Sequence, residues 1–202
     1  NMYNTAVGYD AGQEITTGTE NTIVGGLAGD ALTDADYNVA IGSLALSSDT
    51  LGSRSVAIGR SALQTQNFTT ATDTYNIAIG YAAGSSVSTG IQNTLLGGVA
   101  GDALTDADYN VALGYGALSA DTLGSMSVAV GRFALSAQNM TTATDSLNVA
   151  VGMNAGVSVT TGVQNTLIGA LAGDALTDAD FNVAVGLGAL STDTLGNNST
   201  AI

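Results

Sequence analysis

One short pattern of apolar and polar positions recurs along the whole chain. An Asn or Ser precedes a β-branched residue, a small or aliphatic residue, an aliphatic residue and a Gly, as in NTAVG from Asn4, NVAIG from Asn38 and SVAIG from Ser55. Because side chains alternate between the two faces of a strand, the second and fourth positions share one face and the first and third share the other. The pattern predicts a short β-strand in each repeat, with one bulky face and one face for Asn and small groups.

The spacing of this motif is regular. Successive starts follow a 17/17/17/21 cycle, and each group of four starts makes one super-repeat. The super-repeats cover residues 1–72, 73–144 and 145–202, the last one incomplete. The motif starts at Asn4, Asn21, Asn38, Ser55, Asn76, Asn93, Asn110, Ser127, Asn148, Asn165, Asn182 and Ser199.

A period of this length with one strand per unit predicts an all-β, parallel β-solenoid in which each unit forms one coil. Helical repeats are longer, and the Leu spacing of leucine-rich repeats does not match these units. Residues 1–202 are therefore expected to form a single continuous solenoid. At the strand spacing, twelve coils would give a rod roughly 55 Å long.

Stacking predicts the roles of three motif positions. The leading Asn should form a hydrogen-bonded ladder, interrupted by Ser at every fourth coil. The motif Gly should mark a turn that needs positive φ or has no room for a Cβ. The third position is large at Ile23, Leu95 and Leu167, where the residue after the Gly shrinks to Gly26, Gly98 or Ala170. We interpret this covariation as volume compensation within a packed layer.

The composition of the chain argues against nucleic-acid binding and against disorder. The chain has no Lys or His, and three Arg oppose 17 acidic residues, which gives a formal net charge of -14. Such a surface repels phosphate groups, so nucleic-acid binding is not expected. Disorder is also disfavoured, because 45% of residues are apolar. No apolar run is long enough to cross a bilayer, and the chain ends inside a motif, so we expect a segment of a longer fibre without direct membrane insertion.

The units NVAIG, SVAIG and SVAVG, each followed by two residues and Ala, resemble the YadA-like head repeats of trimeric autotransporter adhesins. Similar repeats are found in tail fibres of bacteriophages. The resemblance covers essentially the whole chain, although both of its coil lengths exceed those that are common in that family. It implies a left-handed β-roll, a homotrimer, no enzymatic activity and no cofactor.

The resemblance also implies a location and partners. An adhesin fibre would lie outside the cell at its surface and would attach to a glycan, matrix or cell-surface receptor; a tail fibre would belong to a virion. Independently, a narrow roll with apolar groups on both strand faces would leave a stripe exposed, which favours trimerisation. A monomeric β-helix enzyme that processes polysaccharides is the remaining alternative.

An acidic loop recurs before every fourth strand, first as GDALTDAD at residues 29–36. Asp30, Asp34 and Asp36 are candidate calcium ligands, because Ca²⁺ prefers carboxylate oxygens. The loop lacks the bidentate Glu and the Gly-rich pattern of known calcium loops, so a solvated turn is the favoured interpretation. Catalysis by two carboxylates is not expected, since the loop is duplicated with the scaffold.

The four extra residues of each long coil predict a bulge. Exposed loops on a rigid scaffold are common sites of recognition, so the bulges supply candidate ligand contacts. The alternative is that the bulky apolar residue of each bulge folds back over the coil edge. The candidates are Asn67, Phe68 and Thr69 in the first copy and Asn139, Met140 and Thr141 in the second.

Overall fold

The computed structural model describes residues 2–202, which form a parallel β-solenoid of twelve coils. One 12-stranded sheet runs along its length, and two short two-stranded sheets lie beside it. No helix in this described part of the chain is long and apolar enough to cross a membrane. The strands are β1 (Thr5–Val7), β2 (Thr22–Val24), β3 (Val39–Ile41), β4 (Gly52–Ser53), β5 (Val56–Ile58), β6 (Thr72–Asp73), β7 (Ile77–Ile79), β8 (Thr94–Leu96), β9 (Val111–Leu113), β10 (Gly124–Ser125), β11 (Val128–Val130), β12 (Thr144–Asp145), β13 (Val149–Val151), β14 (Thr166–Ile168), β15 (Val183–Val185) and β16 (Thr200–Ala201).

The strand register confirms the predicted coil lengths. Val39 pairs with Val56 across a short coil, and Val56 pairs with Ile77 across a long one. The long coils add the small sheets, because β4 pairs with β6 and β10 pairs with β12. The extra residues therefore leave the main sheet in register.

The interior of the solenoid is thin and lined by small side chains. The first and third motif positions point inward, so Asn38 and Ala40 are fully buried, while Val39 and Ile41 are only partly buried. Ala and Leu dominate the buried apolar residues. The bulky β-branched face of the strands thus lies on the outside, and Asn occupies the inside.

The predicted asparagine ladder is present and is bonded twice per coil. Asn21 Oδ1 accepts the backbone N–H of Asn38 at 2.9 Å, and Asn21 Nδ2 donates to Ala35 O at 2.7 Å. Ser55 N–H donates in the same way to Asn38 Oδ1. The short side chain of Ser55 contacts the hydroxyl of Thr74 and does not reach the next ladder residue, so the ladder is interrupted as predicted.

The motif Gly meets both predicted requirements. Gly25 has φ 139°, and a Cβ built there would lie 2.6 Å from the carbonyl carbon of Gly42 in the next coil. The backbones of adjacent coils therefore approach each other too closely at this turn for any side chain.

The volume compensation is real, but the predicted partners are wrong. A Cβ at Gly26 would meet nothing within 4 Å, so Gly26 does not make room for Ile23. The compensating residues follow the recurrent Ala instead: a Cβ at Gly12 would lie 3.0 Å from Ile23 Cδ1, and one at Gly29 would lie 3.3 Å from the same atom. The corresponding pairs around the other large residues are Gly84 and Gly101 with Leu95, and Gly156 and Gly173 with Leu167.

Candidate functional site

The acidic loop does not gather its carboxylates. Asp34 accepts a hydrogen bond from the hydroxyl of Thr17 at 2.5 Å, and Asp36 accepts one from the backbone N–H of Thr19 at 2.7 Å. Each carboxylate thus binds the preceding coil. Within residues 2–202, no three acidic side chains are placed to hold a metal ion together. The loop therefore connects adjacent coils by hydrogen bonds.

Asp30 differs from the other two members of the loop. Its Oδ1 atom is buried without a hydrogen-bond partner, as are the matching atoms of Asp102 and Asp174. Desolvation raises the pKa of Asp30 above its ordinary value, and the nearby charges of Asp10 and Glu14 raise it further. Desolvation alone raises the pKa of Asp102. The carboxylate oxygens of the loop that lack a partner thus belong to one residue in each block, although desolvation also raises the pKa of Asp108 in the second block.

The bulges divide into buried and exposed members. Phe68 and Met140 are only 7% and 3% exposed, so they are not available as ligand contacts, and the alternative that they fold back over the coil is confirmed. Burial of a large apolar side chain offsets the cost of ordering the longer coil. The exposed members of the predicted set are Asn67, Thr69, Asn139 and Thr141.

A buried polar cluster lies beneath the first bulge and joins the third coil to the fourth. Asp49 is fully buried, and one of its oxygens accepts the backbone N–H groups of Gly52 and Phe68, each at 3.0 Å. Its other oxygen accepts Nε2 of Gln66 at 2.5 Å. All three partners are N–H donors, so the site satisfies a carboxylate.

Gln66 links this carboxylate to the asparagine ladder. Its Nε2 also donates to Ser55 Oγ at 2.9 Å, and its Oε1 accepts Nδ2 of Asn76 at 2.9 Å. We call the set Asp49, Ser55, Gln66, Thr74 and Asn76 the first Asp–Gln cluster. The second Asp–Gln cluster is Asp121, Ser127, Gln138, Ser146 and Asn148, with the same Asp–Gln, Gln–Ser and Gln–Asn bonds.

These clusters were not predicted from the sequence, although a signal was present. The eleventh residue after each ladder residue points into the interior, and its identity follows the four-coil cycle. It is Ile15, Leu32, Asp49 and Gln66 in the first block, Val87, Leu104, Asp121 and Gln138 in the second, and Val159, Leu176 and Asp193 in the third. Two polar residues at an otherwise apolar position would have marked the buried clusters.

The outer face of the main sheet is apolar and uncovered. Its fourth-position side chains form one continuous ladder in which Val7, Leu96 and Ile168 are 59%, 44% and 40% exposed. Parallel sheets are normally covered on both faces. The outer ladder consists of Val7, Val24, Ile41, Ile58, Ile79, Leu96, Leu113, Val130, Val151, Ile168 and Val185.

Aromatic residues border this face at the position before the ladder Asn or Ser. In the first block, Arg54 Cζ lies 4.7 Å from the ring centroid of Tyr37 and 6.0 Å from that of Tyr75. Arg54 Nε also lies 2.9 Å from Asp73 Oδ1, an exposed ion pair. The second block has Met126 in place of Arg54, so the ion pair and the cation–π contacts of Arg54 have no counterpart there.

No pocket opens among residues 2–202. Comparison with known proteins gives no match among family models, curated proteins or solved structures.

Proposed function

We propose that this chain is a structural and adhesive segment of a trimeric extracellular fibre, in which three left-handed β-rolls pack side by side through their outer sheet faces. The observation that carries this proposal is the uncovered ladder of aliphatic side chains. It runs the length of the sheet, and a stripe of that size on a soluble protein marks an interaction surface. A second copy of the chain offers a stripe of the same pitch.

Symmetry favours copies of the chain as the occupants. Equal coil spacing lets each aliphatic side chain of one copy meet the corresponding side chain of another at every coil, and homo-oligomers of closed symmetry are the common solution. Packing also buries the β-branched residues that lie partly exposed on the outside. The charge of -14 per chain keeps such a fibre soluble once the apolar face is covered.

Mass measurement in solution tests the assembly. Native mass spectrometry and sedimentation should give a mass of three chains for residues 1–202. The variant Leu96→Asp with Ile168→Asp, on the outer ladder, should dissociate the trimer. The matched control, Ala71→Asp with Ala143→Asp, places the same charges in the exposed bulges and should remain trimeric. A monomeric wild-type chain would contradict the proposal.

Attachment requires a separate test. The bulges carry Asn67 and Thr69 outward, and the second copy carries Asn139 and Thr141. In a trimer each bulge forms a ring of three, so weak contacts with a repetitive ligand would be reinforced by avidity. Glycan and matrix-protein arrays probed with the trimer should show binding that Thr69→Lys with Thr141→Lys weakens. Absence of any binding would leave a purely structural segment.

A bacteriophage tail fibre would use the same geometry. Competition distinguishes the two: a tail-fibre segment should block adsorption of a phage to its host bacterium, whereas an adhesin segment should block attachment of a bacterium to its surface.

A further inference from the structure

The two Asp–Gln clusters place a polar residue at an interior position that is apolar in the other coils. Asp49 and Gln66 occupy in the third and fourth coils the site that Leu32 and Val87 occupy in the second and fifth. A fully buried carboxylate is stable only where donors surround it. Only a neighbouring coil that carries Gln at this position supplies the side-chain donor.

We propose that the buried Asp–Gln pair locks the third and fourth coils of each block into one indivisible unit and thereby excludes every stacking register that separates these two coils. The strands alone do not fix this register, because the ladders of Asn, Ala and Gly are nearly the same in every coil. A coil could loop out while the sheet closed over the gap. The interior position distinguishes the coils from one another.

The carboxylate obtains its donors from the fourth coil. Gln66 Nε2 and the backbone N–H of Phe68 both belong to that coil, whereas Gly52 N–H belongs to the third. If the fourth coil were skipped, Asp49 would face Val87 and lose two of these three donors. If four coils were skipped instead, the interior neighbours would again be of the native kind, with Asp next to Gln and Leu next to Val. The lock therefore penalises a skip of one to three coils that begins or ends between the third and fourth coils, and it leaves a skip of four coils unpenalised.

The rest of the interior does not impose the same penalty. Loss of the fourth coil would place Leu46 beside Gly84, where Leu63 packs in the native chain. Asn76 N–H would meet Asn38 Oδ1, the acceptor that Ser55 N–H uses now. Apolar packing and the asparagine ladder both tolerate the skip, so the unpaired carboxylate is the principal obstacle.

Two deletions test the lock. Deletion of residues 76–147 removes a whole block and leaves every interior neighbour of the native kind. Deletion of residues 55–75 removes only the fourth coil, including Gln66, and leaves Asp49 without its side-chain donor. We expect the larger deletion to keep a cooperative thermal transition measured by circular dichroism. The smaller deletion should lose that transition or melt roughly 10 °C or more below the larger one.

A substitution at Asp49 supplies the decisive control because its effect should change sign. In the full chain, Asp49→Leu leaves the Gln66 amide without its carboxylate and should lower the melting temperature. In the chain that lacks residues 55–75, the same substitution places Leu against Val87 and should raise the melting temperature. A smaller deletion that melts at or above the larger one, or that Asp49→Leu does not stabilise, would overturn the proposal.

Discussion

The two long coils, residues 55–75 and 127–147, share an interior and differ on the surface. Beneath each bulge, Asp and Gln pair with the same geometry, and the Gln–Asp bond is 2.5 Å in both. Outside, the first copy carries Tyr75, whose ring lies 6.0 Å from Arg54 of the preceding coil, and the second carries Leu147 at the same position, with Met126 in the preceding coil. The interior constrains which residues can occur, whereas the surface accepts different chemistry on the same scaffold.

The largest effect should come from breaking the shared interior. Gln66→Leu and Gln138→Leu each remove the side-chain donor of a buried carboxylate, and each should cost about 3–5 kcal/mol of unfolding free energy. Denaturant titration measures both, with Gln64→Leu as a neighbouring control outside the cluster. The two costs should agree within about 1 kcal/mol, since the bonds to Asp, Ser and Asn are shared and Gln138 adds only a long bond of 3.4 Å to Ser146 Oγ. A larger gap would show that the two interiors are not equivalent.

The next largest loss of stability should come from truncating Phe68 and Met140, the apolar side chains that cover the two clusters. Phe68→Ala should cost about 3–4 kcal/mol and Met140→Ala about 2–3 kcal/mol, because Phe leaves the larger cavity. The exchange Phe68→Met should cost less than about 1.5 kcal/mol, since volume is nearly kept. If Phe68→Ala left the denaturation midpoint unchanged, the bulge would not seal the cluster.

A smaller effect should follow from exchanging the surface chemistry. Arg54→Met removes an exposed ion pair and two cation–π contacts, so it should lower the melting temperature slightly, and less so in high salt. Met126→Arg places an Arg beside Tyr109 and Asp145, with Leu147 in place of the second Tyr, and should raise the melting temperature by a smaller amount. Thermal melts at low and high salt measure both. Equal changes at the two salt concentrations would argue against an electrostatic origin.

The smallest expected effect is on the pH dependence of stability, and it differs between Asp30 in the first block and Asp102 in the second. Burial raises the folded-state pKa of Asp30 and Asp102, so the folded chain binds these protons more tightly than the unfolded chain. Each group therefore destabilises the fold at neutral pH, and the loss disappears as pH falls below the ordinary Asp value of 3.8.

Asp30→Asn and Asp102→Asn should accordingly stabilise the chain slightly at neutral pH and not at low pH. Salt should reduce the gain only for Asp30→Asn, because the charges of Asp10 and Glu14 contribute to the pKa shift of Asp30 and no such charge contributes to that of Asp102. Paired urea titrations at the two pH values check the sign. A gain that grew toward low pH would contradict the assignment.

The sequence was sufficient to predict the solenoid because backbone stacking requires a fixed period. The two coil lengths, the asparagine ladder and the motif Gly all follow from spacing and strand alternation. Phe68 illustrates a finer limit: its position in a bulge predicts exposure, its size predicts burial, and the structure shows that burial prevails.

Features that depend on the path of the turn could not be predicted in this way. Covariation showed that a small residue accompanies Ile23, but the strand period does not tell whether Gly26 or Gly29 points inward. The Asp–Gln clusters lie in the same part of the coil, beyond the end of the strand, where no strand periodicity guides the assignment.

The asparagine ladder gives the rod a polarity. In each full step, the side-chain oxygen of one coil accepts the backbone N–H of the following coil, as from Asn93 to Asn110. A cut between any two such coils would expose an acceptor on one fragment and the matching donor on the other. Fragments can therefore rejoin head to tail through this bond, whereas two like ends would present acceptor to acceptor or donor to donor.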